Sequence, residues 1–428
     1  MPDIWLSAHS AGVSNEIVLE SAGTLHGQMQ RGLGRAARRA AERAGAGEYV
    51  YDCVRRDPRW DPQCESRGLY YARLLVDLEL PAGPVAEHLF DPSDHTNPDD
   101  WRVELALDVL SHLVRLSRRE AAPILRRYAE EGAHWFDALD TLMGLGDPSL
   151  TLGLDELVAA RCDDRALDML IPGGYNPVIE TWAARQPRIA EALARRRETG
   201  RPRRPAGTGA ERAERTETEL LDLARSQEDG AIGAIFELGR RRTLALLDLA
   251  EELLPARPSR FGGAVCRALR EYGPETLPRA RTWAAQRGGC EDMGLRILAR
   301  YGTRQDIPLL MDELRGAVEQ LAWHDAASPI EGLGRLRAGE AVPLLKTAWT
   351  DSTYAYLRPR ILTALTRTAP HTAESYAVEG LWDCEEGVRL EAVRFAPLTE
   401  ETQMRLQRLH LDSAEEPDIR AAAAGRAL

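Results

Sequence analysis

Two short stretches set an imidazole and a carboxylate beside a large aromatic ring: His134-Trp135-Phe136-Asp137 and Trp323-His324-Asp325. An aromatic wall next to an acid suits a cationic or damaged base, attracted by the ring face and the carboxylate together. The plainer reading is favoured: Trp135 and Phe136 pack between helices, while Trp323-His324-Asp325 ends one helix and caps the next. Asp99-Asp100-Trp101, after Asp94-His95-Thr96-Asn97-Pro98, imitates a metal cluster, but aspartates before a helix are what its dipole and cap prefer. Tyr70-Tyr71 beside Leu74 and Leu75 reads as core. Gly27, Gly32 and Gly34 form a loose cluster with no strand before it, which argues against a dinucleotide loop.

Other chemistry is excluded by what the chain lacks. Of 55 basic residues only one, Lys346, is a lysine, and Pro343-Leu344-Leu345-Lys346-Thr347 fits no phosphate loop, Schiff-base site or kinase strand. The six cysteines, Cys53, Cys64, Cys162, Cys266, Cys290 and Cys384, contain no close pair, so zinc ribbons and thioredoxin-like motifs are absent and free thiols are expected. No His-Glu-x-x-His, Gly-x-Ser-x-Gly or calcium-loop pattern occurs. Neither cofactor nor metal is expected.

The elements that must carry these residues come from an internal repeat. Glu120-Ala121-Ala122-Pro123-Ile124-Leu125-Arg126 and Glu340-Ala341-Val342-Pro343-Leu344-Leu345-Lys346 are alike, and Asp306-Ile307-Pro308-Leu309-Leu310 and Thr276-Leu277-Pro278-Arg279-Ala280 follow the same plan. Each proline heads an apolar-periodic run, where a helix tolerates it because first-turn N–H groups have no intrahelical partner. Before Pro308, Met293, Ile297 and Tyr301 share a helical face that Gly302 closes; after it, Leu310, Met311, Leu314, Val318 and Leu321 form a second stripe. Alternating β-branched runs are scarce, so the chain reads as all-α. A helix pair of this length cannot bury its apolar side alone, and stacked pairs share a continuous core. These proline-bearing units resemble the HEAT and HEAT-like helical-repeat families, most clearly over residues 230–414 and also over 99–132. That resemblance implies an alpha-alpha superhelix, a solenoid of antiparallel helix pairs, with second helices lining its concave face.

Four segments are expected: an unassigned stretch 1–44, a helical-repeat block 45–194, a basic flexible linker 195–215 and a second repeat block 216–428. Charge supports the division. The net charge of -12 is carried by both blocks, whereas residues 194–215 hold eight bases against three acids. So acidic a chain lacks the broad basic footprint of a nucleic-acid coat. No run of about 18 apolar residues exists, and Met1-Pro2-Asp3-Ile4-Trp5 lacks the layout of a secretory signal, so no membrane partner and a cytoplasmic address are expected.

Three positions beyond each proline lie Arg126, Arg281 and Lys346, with Met311 the exception. On the concave face that the resemblance implies, they would form a basic ladder for an acidic protein or peptide, with Trp323 as a candidate aromatic anchor. The expected function is therefore a non-catalytic protein-binding scaffold. The alternative is a nucleic-acid-binding protein resembling the HEAT-like alkylpurine DNA glycosylases, whose full catalytic set cannot be aligned here.

Overall fold

A computed structural model describes residues 18–91, 101–199, 214–255 and 260–427. The described residues contain 26 α-helices and no strand. The first twelve are α1 (Leu25–Gln30), α2 (Gly34–Ala40), α3 (Ala46–Arg56), α4 (Gly68–Asp77), α5 (Gly83–Phe90), α6 (Trp101–Arg115), α7 (Ala121–Glu131), α8 (Trp135–Gly144), α9 (Leu154–Arg161), α10 (Asp164–Leu170), α11 (Pro177–Ala183) and α12 (Pro187–Thr199). The second part holds α13 (Glu217–Ser226), α14 (Ala231–Arg241), α15 (Ala245–Leu253), α16 (Arg260–Ala268), α17 (Leu277–Gln286), α18 (Glu291–Tyr301), α19 (Ile307–Glu319) and α20 (Ala327–Leu336). It ends with α21 (Val342–Asp351), α22 (Arg358–Thr368), α23 (Pro370–Gly380), α24 (Glu386–Phe395), α25 (Glu400–Leu411) and α26 (Pro417–Ala427).

The fold is an all-α array of stacked helices. Pro278, Pro308 and Pro343 occupy the second position of α17, α19 and α21, inside the turn whose N–H groups are unpaired anyway. Thr216 and Glu219 close a reciprocal capping box at the head of α13. Each proline-led helix packs closely against the helix that follows it, giving hairpins α17/α18 and α19/α20, so the tight pair is offset by half a unit from the pairing the apolar stripes suggest. The burial pattern repeats in register: Leu125, Leu310 and Leu345, two residues past their prolines, are fully buried in α7, α19 and α21.

Two rows result. Helices α13, α15, α17, α19, α21, α23 and α25 form one, and α14, α16, α18, α20, α22, α24 and α26 the other. From α18 onward the even row is stacked more tightly. Small residues permit it: a Cβ on Gly334 of α20 would lie 2.7 Å from Ala364 Cα of α22, and one on Gly332 would lie 3.1 Å from Ala299 Cα of α18. Neighbouring helices thus approach more closely in the even row, and the proline-led helices form the wider one.

Residues 195–199 complete α12, so the expected linker is helical there; Arg195 pairs with Asp168 and Arg197 with Glu180 on the same packed unit. Its stretch 200–213 lies outside the described residues, as do residues 1–17 and Asp94 through Asp100. Within 1–44 the chain forms α1 and α2, short helices with too few turns for a clear periodic signal.

The amino-terminal helices fold back onto the end of the array. Cys384 N donates to Gly32 O at 3.0 Å, Arg67 Nη2 donates to Thr353 O at 2.6 Å, and Ala355 N donates to the Glu65 carboxylate at 2.8 Å. Glycine is required at this seam: Gly32 has φ +68°, and a Cβ there would sit 2.3 Å from Cys384 Sγ, while one on Gly34 would meet Glu379 O. The glycine cluster thus serves close backbone approach between distant parts of the chain. Ala355 and Cys384 accordingly belong to the amino-terminal hydrophobic core.

Candidate functional site

The seam buries many charges. Arg67 and Glu65 pair at 2.8 Å with neither side chain exposed, and Arg358 is held by both Asp383 oxygens at 2.9 and 2.8 Å and by Cys384 Sγ. Arg389 and Arg73 converge on Glu415, which they hold down at about 2 against the cost of burial. Burial raises the Glu385 carboxyl to about 7, opposed by Arg358 and aided by Asp383, and raises the Cys53 and Cys384 thiols to about 12. Arg405, buried beside Arg73 and Arg389 and lying over the Trp382 ring, falls to about 9. These thiols are therefore protonated and enclosed, and the arginines of the network are spent on carboxylates and backbone carbonyls of the seam itself. Tyr70 and Tyr71 belong to the same core, donating to Leu33 O and Met29 O.

The residues singled out in the sequence are dispersed. Arg126 is paired in its own helix with Glu130 at 3.1 Å. Arg281 is held by Asp306 at 2.8 Å, at the foot of the next proline-led helix. Lys346 is half-buried on α21. All three sit on proline-led helices, Arg281 and Lys346 in the wider row, where two of the three charges are answered inside the chain. Trp323 is only 1% exposed and belongs to the array's core, so it anchors no partner from there. Its neighbours His324 and Asp325 pair with each other on the surface, and α20 begins without a side-chain cap, so that stretch is a turn that buries Trp323 rather than a cap. Trp135 and Phe136 meet each other edge to face and pack against the amino-terminal core, with Arg161 over Trp135. Among the described residues no group of acids, histidines and cysteines is placed to hold a metal, and no disulfide links the cysteines.

A different set of arginines does converge. Arg240, Arg270, Arg300, Arg335, Arg367, Arg394 and Arg426 recur every 27 to 35 residues, each at or just beyond the last turn of an even-row helix. Helix ends present unpaired carbonyls and partial negative charge, which arginine satisfies. Where an even-row helix closes on an extended residue, the arginine of the next rung supplies the missing donors. Arg300 donates to Arg270 O at 3.0 Å; Arg335 to Ala299 O at 2.7 Å and to Leu298 O and Gly302 O; Arg426 to Val393 O, Arg394 O and Ala396 O. Where the helix closes by itself, the next arginine is released. Helices α14 and α20 end on left-handed Arg242 and Arg337, whose following N–H groups turn back to Leu238 O and Leu333 O, and α22 is closed by Thr368 Oγ1 on Ala364 O. Correspondingly, among the described residues, the side chains of Arg270 and Arg367 cap nothing, and Arg394 turns to Glu391 of its own helix.

Between α18, α20, α22 and α24 these rungs face an open groove of about 620 Å³. Its floor is made by Ala299, Gly334, Ala364 and Gly387, and its walls carry five arginines, Arg296, Arg300, Arg335, Arg360 and Arg367, against Glu331 and Glu391. Arg360 is tied to Glu331 at 2.7 Å and lies over the Tyr356 ring, and Arg296 reaches Asp292 only at 3.7 Å. Arg367 is exposed and makes no ion pair with any described residue. A chain that is acidic overall thus keeps a basic groove along its tight row. The sequence carries this signal as the roughly 30-residue recurrence of arginine at helix ends, eight residues before Pro278, Pro308 and Pro343 and so one helix ahead of the proline-led ones.

The fold and groove together define an all-α helical array with a basic channel across successive helices. Comparison with known protein families, with curated proteins and with solved structures gave no match.

Proposed function

We propose that the protein is a helical-repeat interaction scaffold that holds an acidic segment of a partner protein in the groove across α18, α20, α22 and α24. The observation that carries this reading is the surplus of arginine over glutamate on a floor of glycine and alanine, with Arg367 left without an ion-pair partner among the described residues. Arginine forks suit carboxylates, and rungs already fixed by backbone carbonyls lose little freedom on binding. The groove's lining is dominated by arginine, and it includes no histidine, cysteine, serine or aspartate. A peptide fits better than nucleic acid. The two glutamates oppose a uniformly charged phosphate backbone but leave room for spaced carboxylates, and no aromatic side chain lines the groove for base stacking.

The test is fluorescence anisotropy with a labelled acidic peptide and, separately, a labelled DNA duplex, both at about 50 mM salt. Saturable peptide binding that disappears in Arg367→Glu/Arg296→Glu, with duplex binding absent, supports the scaffold. Tight duplex binding with no peptide binding overturns it in favour of a nucleic-acid-binding protein.

A further inference from the structure

Resting on that reading, we infer that the groove selects the spacing of acidic residues as well as their charge, taking a polyproline II segment with one carboxylate at every third position. The three rungs Arg300, Arg335 and Arg367 come from consecutive helices of the tight row. Packed helices lie about 8–10 Å apart, toward the short end where glycine and alanine form the contact, as Gly334 and Ala364 do here. A polyproline II chain advances about 9 Å per three-residue turn and returns the same face to the groove at each turn, so acids at i, i+3 and i+6 meet one arginine each. A β-extended chain cannot do this, because positions three apart point to opposite sides.

The rungs also differ in what they have left to offer. Arg335 spends Nε and Nη2 on the end of α18, which pins its guanidinium and leaves Nη1 directed elsewhere. Arg300 spends Nη1 alone. Arg367, released by the self-closing end of α20, keeps its whole fork and is the strongest single contact for a carboxylate. Arg335 orients the channel and Arg367 reads the ligand.

Two labelled dodecapeptides of equal composition separate this from simple charge attraction: four Glu-Pro-Pro repeats, and a block of four glutamates followed by eight prolines. Each is titrated by anisotropy into the full chain at about 50 mM salt. The repeat peptide is expected to bind at least about fivefold more tightly than the block, and Arg367→Ala to cost it about tenfold with the melting temperature unchanged. Equal affinity for the two peptides, or tighter binding of the block, overturns the spacing inference while leaving an acidic-segment scaffold standing. Binding of neither overturns both. Retained affinity in Arg367→Ala removes that residue from the reader's role.

Discussion

Replacing Glu385 by glutamine should stabilise the protein, and more so at high pH. Glu385 is 7% exposed at the head of α24, where the amino-terminal helices meet the array, and burial beside Asp383 raises its carboxyl to about 7. A carboxyl whose folded value lies above its unfolded one favours the protonated form on folding. The native state then binds more protons than the unfolded state between about pH 4.5 and pH 7, so stability falls as pH rises through that window. The displacement from 4.5 to about 7 corresponds to roughly 3 kcal/mol lost at pH 8 and about 1 kcal/mol at pH 5. Glutamine keeps the shape and cannot ionise, so Glu385→Gln should gain about 3 kcal/mol at pH 8 and about 1 kcal/mol at pH 5. Urea unfolding of both proteins at the two pH values, followed by circular dichroism, measures this. An equal gain at both values, or none at pH 8, would refute the claim that the buried carboxyl carries the cost. Glu415 supplies the opposite limb: held at about 2 by Arg389 and Arg73, it contributes stability above its unfolded value that disappears as pH drops from about 4.5 toward 2.

Three substitutions probe the architecture. Arg335→Ala strips three carbonyls at the end of α18 of charged donors and should cost about 2–4 kcal/mol in chemical denaturation, whereas Arg367→Ala, following a helix that closes itself, should change stability by less than about 0.5 kcal/mol; equal costs would defeat the closure argument. Gly32→Ala forces a side chain into a left-handed residue and against Cys384 Sγ, and should cost about 2–4 kcal/mol and speed hydrogen exchange of α1 and α2 before that of α18.

The proline-led helices were legible because they obey local rules: a first-turn proline, an apolar stripe and a closing turn are all written within about 15 consecutive residues. The packing surface of the array followed for the same reason, as Leu310, Leu314, Ile330 and Leu333 are spaced by helical period and are all buried. The groove was less accessible. Which of two rows stacks tightly depends on contacts such as Gly334 against Ala364, thirty residues apart, and whereas the Arg126–Glu130 pair is written four residues apart, nothing local at Arg281 reveals that its charge is already answered. Arg281 meets Asp306 only because the next unit brings that carboxylate to it. The seam was harder still. Gly32, Cys384, Glu65 and Ala355 are joined across about 290 to 350 residues, and a buried arginine such as Arg358 has the same sequence signature as a surface one. Trp323 shows the converse, since an aromatic between polar neighbours looked available and is enclosed by its turn.

The backward docking of α1 and α2 makes the two ends of the array unequal. Its last units are clasped by another part of the same chain, while among the described residues α13 packs chiefly on the helices that follow it. In a structure built from nearest-neighbour increments, melting starts where an increment is missing. Pulled or heated, the array should come apart from residue 217 toward the carboxyl terminus. The basic channel, three hairpins further in, would then outlast the open margin and lose its shape only when the clasp itself lets go.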